Sequence, residues 1–218
     1  MDSGLSADTE SPIIERDIRA FSEHAVTIGD ERMHIGGRMV EIEIEIETAR
    51  LLLRPMRAED TDAFLRIFTD PSVMAAFAVG PFDRAQMERW VRRNLGRQQR
   101  YGYGLFSVIH KADGQLIGDC GLEHMTIEGV TAAELGYDLR SDYWHRGLAT
   151  EAAAAVRDYA FRALALPQLV SLIRCGNERS RRVAEKIGMH RAMEPTRDGQ
   201  RYWLYTLTRD DAAPRLAT

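Results

Sequence analysis

Trp144-His145-Arg146-Gly147-Leu148-Ala149-Thr150-Glu151-Ala152 follows a strand-like run, Ala133 to Leu139, and opens a helix-like run from Ala149 to about Leu164. A strand that turns through a glycine into a helix start presents backbone N–H groups with no intrahelical acceptor. The helix dipole adds partial positive charge at the same place. Such a junction suits an anion, and a pyrophosphate in particular. Gly147 is free to adopt dihedrals closed to other residues, and the small Ala149 lets a ligand come close. The stretch predicts an anion cradle without naming the anion.

Upstream, Leu51 to Pro55 reads as a strand ended by proline. Glu59 to Phe68 places Ala63, Phe64, Ile67 and Phe68 on one helical stripe, and Asp70-Pro71-Ser72 breaks that helix. Asp83 is a good N-cap for a second helix through Leu95, with Met87, Trp90, Val91 and Leu95 on one side. Strands at Gly104–His110 and Gln115–His124 are joined by the turn residues Ala112, Asp113 and Gly114. Downstream, Pro167 closes the helix region and Leu169 to Arg174 is a strand. Asn177 to Ser180 leads into a helix, Arg181 to Ile187, with Ser180 as its N-cap and Gly188 as its C-terminal cap. Strands near His190–Glu194 and Arg201–Leu207 flank a turn at Arg197-Asp198-Gly199. This order predicts a single α/β domain (α+β by some schemes): a mixed sheet with helices on both faces.

The first forty-odd residues read as an attachment. Residues 1–11 are small and polar, Ser11-Pro12 is a plausible helix start, and Gly36-Gly37 marks a turn. Val40 to Glu47 alternates strictly, with Ile42, Ile44 and Ile46 on one face and four glutamates on the other, as a half-buried strand does. The division expected is an extension over 1–47, a domain over 48–210 and a short tail over 211–218.

Composition narrows the function classes. A net charge of -4 gives no electrostatic pull toward nucleic acid. Two cysteines make no disulfide framework and fit a reducing cytoplasm, and no apolar run approaches membrane-spanning length. The six histidines show no metal-ligand spacing, so no metal is expected. Cys120 sits mid-strand with no paired histidine motif and reads as a buried thiol, and Trp90 and Trp203 read as core.

Tyr143 to Ala152 resembles the acyl-CoA loop of the GNAT N-acetyltransferases, and Asn177 to Met189 resembles the second CoA-facing helix of that superfamily. Thr48 to Pro55 and Glu134-Leu135-Gly136-Tyr137 resemble the ribosomal-protein-alanine, or Rim-type, branch. The resemblance covers about Thr48 to Leu207. It implies a mostly antiparallel sheet in which the strand of Leu135–Leu139 splays from that of Leu169–Arg174, with the pantetheine arm of acetyl-CoA in the gap. The pyrophosphate would then rest on the N–H groups of Arg146, Gly147, Leu148, Ala149 and Thr150. A backbone N–H near Leu139 would face the oxyanion, and Asn177 and Ser180 would face the cofactor. Arg146, Arg179 and Arg182 are further candidates for phosphate contact.

The implied reaction is direct attack of a primary amine on the thioester, which needs a base. Glu134 is the first candidate, acting through water, on the same strand face as Gly136 and Asp138. Glu123 and Glu194 are its rivals. For a general acid, many superfamily members have a tyrosine where this chain has Ala184, so Ser180 and Tyr137 are the alternatives. Trp144 departs from the superfamily's usual glutamine or arginine and is expected to close one side of the cofactor site. The acceptor is expected to be a peptide N-terminus or a small-molecule amine, chosen by residues 69–82, 95–103 and the hairpin near Thr196–Arg201. The protein is expected to act as a monomer or homodimer. Two other readings stand beside this one: a catalytically silent CoA-binding or regulatory module, suggested by Ala184, and an unrelated phosphate-binding enzyme that shares only the loop.

Overall fold

Alternating apolar residues in the central segments place their chain in strands, and helices cover both sides of the sheet they form. The computed structural model describes residues 44–77, 80–127 and 130–212. The helix start at Ser11-Pro12, the turn at Gly36-Gly37 and residues 40–43 of the alternating run lie outside them. In chain order the elements are β1 (Ile46–Glu47), β2 (Leu51–Pro55), α1 (Thr61–Phe68), α2 (Pro71–Met74), α3 (Arg84–Tyr101), β3 (Leu105–His110), β4 (Gln115–Ile127) and β5 (Val130–Leu139). Then follow α4 (Leu148–Arg162), β6 (Gln168–Arg174), α5 (Glu178–Lys186), β7 (His190–Met193), β8 (Thr196–Arg197), β9 (Gln200–Thr208) and α6 (Arg209–Ala212). No helix among the described residues is long and apolar enough to cross a membrane.

The strands form one sheet in the order β1-β2-β3-β4-β5-β6-β9-β7, with β8 paired to β9. Every pairing is antiparallel except β5 with β6. One face, carrying Phe106, Cys120, Leu122 and Leu135, packs on Ala152, Val156 and Ala160 of α4. On the other, Leu105 joins Phe64, Ile67 and Phe68 of α1 with Met87 and Val91 of α3. Each fully buried Leu, Ile or Phe contributes roughly 1.5–3 kcal/mol. Trp90 packs edge-on to Phe64 at 5.2 Å, as a core residue. Trp203 is partly buried against the α4-side core.

Two local expectations need correction, and two gain detail. The helix from Asp83 continues six residues past Leu95, because its stop is Gly102 in the left-handed conformation (φ 71°) and not the end of the apolar stripe. After the break at Asp70 the chain forms α2, with the Asp70 side chain accepting from the Ser72 N–H and Pro71 in its first turn. Of the run Val40–Glu47, only Ile46 and Glu47 are paired among the described residues, against Leu53 and Leu52. The N-cap of α5 is Asn177 and not Ser180, because the Asn177 amide oxygen reaches the Ser180 N–H at 3.2 Å and starts the helix at Glu178.

Candidate active site

The chain leaves β5 at Leu139, makes one 3-10 turn over Ser141–Tyr143, and reverses through His145 (φ 62°) and Gly147 (φ 77°). Left-handed dihedrals are cheap for glycine and costly for histidine, so this bend is held by its surroundings. Gly147 is the N-cap of α4 and supplies no side-chain cap. The N–H groups of Leu148, Ala149 and Thr150 therefore lack both an intrahelical acceptor and a capping side chain. An uncapped helix start of this kind can receive an anion.

The cradle is tied from behind. Arg50 donates from Nη1 to the Arg146 carbonyl at 2.8 Å and from Nε to Glu151 Oε2 at 2.7 Å, and Thr48 Oγ1 donates to Glu151 Oε1 at 2.7 Å. Burial works to raise the Glu151 pKa, but the hydrogen bonds from Thr48 and Arg50 bring it below the ordinary carboxylate value. An anionic Glu151 in the first turn would repel a bound phosphate, and Arg50 neutralises it. Thr48, Arg50 and Glu151 were not legible as a unit, since about a hundred residues separate their two ends.

β5 pairs with β4 along its whole length, from Gly118↔Leu139 to Ile127↔Val130. Its parallel pairing with β6 comprises Ala133↔Leu169 and Glu134↔Val170. β6 keeps pairing with β9 as far as Arg174↔Tyr202. From Leu135 onward the two strands diverge, and a wedge opens toward the Gly147 loop. Glu134 closes its narrow end, where Oε1 accepts the Leu172 N–H across the gap at 3.2 Å. Burial, reinforced by Glu123, pushes the Glu134 pKa up to about 8.

Most of the other expected residues fall around this wedge. Asn177 Nδ2 donates to Ser180 Oγ at 3.0 Å, which leaves the Ser180 hydroxyl hydrogen free. Tyr137 donates its hydroxyl to the Ser180 carbonyl at 2.8 Å, tying β5 to α5, and burial pushes its pKa up. Ala184 is fully buried. Trp144 donates Nε1 to the Leu139 carbonyl at 2.8 Å, and the Arg179 guanidinium lies 3.7 Å from its ring centre. Arg146 stacks on Tyr143 at 4.9 Å, and Arg182 is exposed. Glu123 stands directly across from Glu134 and is ion-paired to Arg97. Glu194 is paired to Arg191 at 2.7 Å just past β7. Two strands separate β7 from β5, which is about 14 Å at the usual spacing. Cys120 is fully buried and its thiol pKa is raised by burial.

Two features beyond the expected residues complete the site. Residues 70–77 are fastened to the cradle side of the wedge: Ser141 Oγ donates to Asp70 Oδ2 at 2.5 Å, Arg179 to the Ser72 carbonyl at 3.4 Å, and Arg174 to the Phe77 carbonyl at 3.1 Å. Second, Asp119 lies across from Asp138 as Glu123 lies across from Glu134, with Gly121 and Gly136 between them. Register partners share a face, so the four carboxyls all lie on the α1 and α3 side. The signal for Asp119 was its four-residue spacing from Glu123, which matches that of Glu134 and Asp138. Among the described residues, no group of three or more His, Cys, Asp or Glu side chains could hold a metal.

Comparison with known proteins bears on this geometry directly. Residues 50–190 match the acetyltransferase (GNAT) domain model. The chain is 38% identical over 147 residues to the uncharacterised protein YkkB of Bacillus subtilis, covering 67% of this chain and 85% of YkkB. It is 33% identical over 123 residues to the uncharacterised N-acetyltransferase p20 of Bacillus licheniformis, covering 56% and 68%. The crystal structure of an acetyltransferase from Agrobacterium tumefaciens superposes with a TM-score of 0.66 at 29% identity, over 82% of this chain and 99% of that one. The uncapped helix start and the diverging strands thus sit on a recognised scaffold, and the chain belongs to the GNAT family as an N-acetyltransferase enzyme.

Proposed function

We propose that this enzyme transfers the acetyl group of acetyl-CoA to a primary amine by direct attack, within the domain spanning residues 48–210. The observation that carries the reading is the wedge itself: a gap beside β5 where its pairing with β6 stops, with an uncapped helix N-terminus at its wide end and Glu134 at its narrow end. A CoA thioester needs an anion cradle next to a slot for its thiol arm. A ribosomal L7/L12 alpha-N-protein acetyltransferase of the same fold, 17% identical with a TM-score of 0.66, forms a complex with coenzyme A. Together with the motifs at Thr48–Pro55 and Glu134–Tyr137, this supports a Rim-type reading, with a peptide N-terminus or a small amine as acceptor in the cytoplasm.

In this mechanism Glu134 removes the ammonium proton directly or through water, and the amine nitrogen attacks the thioester carbonyl. A backbone N–H on the open edge of β5, toward Leu139, receives the oxyanion. The C–S bond then breaks, and the second proton of the attacking nitrogen passes to the departing thiolate, relayed by Ser180 Oγ or by water. Acetyl-CoA turnover against a panel of amines tests the reading: release of free thiol with acetylated amine is expected. Tight CoA binding with no acetylation of any amine would favour the silent module that Ala184 suggests. A thermal shift produced by ATP as readily as by CoA would favour an unrelated phosphate enzyme.

Gly147→Val probes the cradle. A β-branched residue at φ 77° costs about 1–3 kcal/mol of backbone strain. CoA affinity measured by calorimetry is expected to fall about tenfold or more. Unchanged affinity would remove the cradle from the cofactor site.

A further inference from the structure

Glu134, Gly136 and Asp138 occupy successive positions on one face of β5, and all three remain part-exposed although β5 is a central strand. A Cβ built on Gly136 meets nothing within 4 Å, so the floor between the two carboxyls is open space. Across the rung from Asp138, Asp119 is only 1% exposed and its Oδ2 has no hydrogen-bond partner among the described residues. Burial, with Asp138 and Glu123 nearby, pushes the Asp119 pKa well up, so its carboxyl keeps a proton until an approaching cation favours the ionised form.

The nearby cations do not supply it. Arg54 and Ser107 lie on the same cross-strand row as Asp119 and Asp138. Arg54 is bidentate to Asp60, however, and Ser107 donates to Asp60 at 2.7 Å. Arg97 is committed to Glu123, and Arg197 acts on Glu134 only through space. Among the described residues, the Asp119–Asp138 end of the cleft therefore has two acids and no base.

We propose that the acceptor is a small alkyl amine carrying a second cationic nitrogen, a diamine or polyamine, whose reacting nitrogen meets Glu134 while another ammonium lies over Gly136 against Asp138 and Asp119. The proposal rests on the acetyl-transfer reading and specifies its substrate class. Glu134 to Gly136 is two residues of strand, about 7 Å between Cα atoms, and Glu134 to Asp138 is four, about 13 Å. A four-carbon diamine spans roughly the shorter distance and a longer polyamine approaches the other, whereas a single amine leaves the inner acids unpaired. Burial pushes Asp138 up to about 7, so near neutral pH the empty cleft retains protons that a bound dication displaces.

The test compares kcat/KM for 1,4-diaminobutane and spermidine with that for n-butylamine, n-hexylamine and a peptide with a neutral side chain at its N-terminus. The amines with a second cationic nitrogen are expected to be preferred by at least tenfold, through KM more than kcat. Asp138→Asn and Asp119→Asn are each expected to lower that preference toward unity. Equal turnover of monoamines and diamines, or preference for the neutral peptide, overturns the proposal while leaving acetyl transfer intact. Where no amine turns over, the acetyl-transfer reading has failed. Calorimetry on the CoA-loaded protein then still decides the matter, since a diamine binding no more tightly than butylamine also overturns it.

Discussion

Glu134→Gln is expected to cut turnover at pH 7 by about a hundredfold while leaving the KM for acetyl-CoA within about threefold. Glutamine keeps the shape and an oxygen that can accept the Leu172 N–H, so the narrow end of the wedge stays closed. What it removes is the proton acceptor. With the Glu134 pKa near 8, raised by burial and then by Glu123, the wild-type kcat/KM should climb with pH and level off above about 8. The variant's profile should lose that limb.

Stability gives a second readout of opposite sign. A carboxyl pKa raised on folding means that, between about 4.5 and 8, the native state holds a proton that the unfolded chain has lost. Stability therefore declines as pH rises through that window, by at most roughly 4–5 kcal/mol at 1.36 kcal/mol per unit. Contact with water reduces this for a part-exposed side chain. Glu134→Gln should consequently melt higher than wild type at pH 9 and nearly level with it at pH 5. If turnover is unchanged, the base is Glu123, Glu194 or solvent.

Arg54→Met is expected to destabilise the fold by about 3–5 kcal/mol at pH 7. Asp60 is 6% exposed, and its two oxygens accept from Arg54 Nη1 at 2.8 Å and Nη2 at 2.6 Å. Ser107 and the Arg57 N–H bond it as well. Burial alone would raise the Asp60 pKa, yet the hydrogen bonds from Arg54, Ser107 and Arg57 hold it below the ordinary carboxylate range. Methionine leaves that carboxylate buried without its counter-charge. The melting temperature should drop by about 10 °C for a domain of this size. The sign of the pH dependence follows from the lowered pKa. The pair stabilises above about pH 4 and is lost as pH falls through the native value, so the gap between variant and wild type should narrow in acid. Arg54→Met with Asp60→Leu should recover much of the loss, and a double variant as unstable as the single one would show that packing of the Arg54 stem matters more than charge.

Residues that carry local signals are legible in the amino-acid sequence alone. Gly147 with Ala149 marks the cradle, because glycine at a strand-to-helix turn has few other uses. Glu134 and its face-mates Gly136 and Asp138 can be placed by period-two alternation. The register that sets Asp119 against Asp138 cannot, because a pairing between strands is fixed by the whole sheet. The same limit hides Arg50 behind Glu151 and Ser141 on Asp70, since long-range hydrogen bonds leave no periodic trace in either partner. Helix ends err for a nearer reason. Two polar residues, Asn177 and Ser180, each have the chemistry of a cap, and only the backbone geometry chooses between them.

The two-rung contact between β5 and β6 has a mechanical side. Beyond Glu134 and Val170, both strands carry backbone edges that face each other without pairing. The sheet is thus two leaves, β1 to β5 and β6 with β9 and β7, joined at one short seam. Such edges are templates for another extended chain, which folded proteins ordinarily cover. A cofactor arm lying between them would act as the missing strand, so that loading the enzyme and shielding its most adhesive surface become one event.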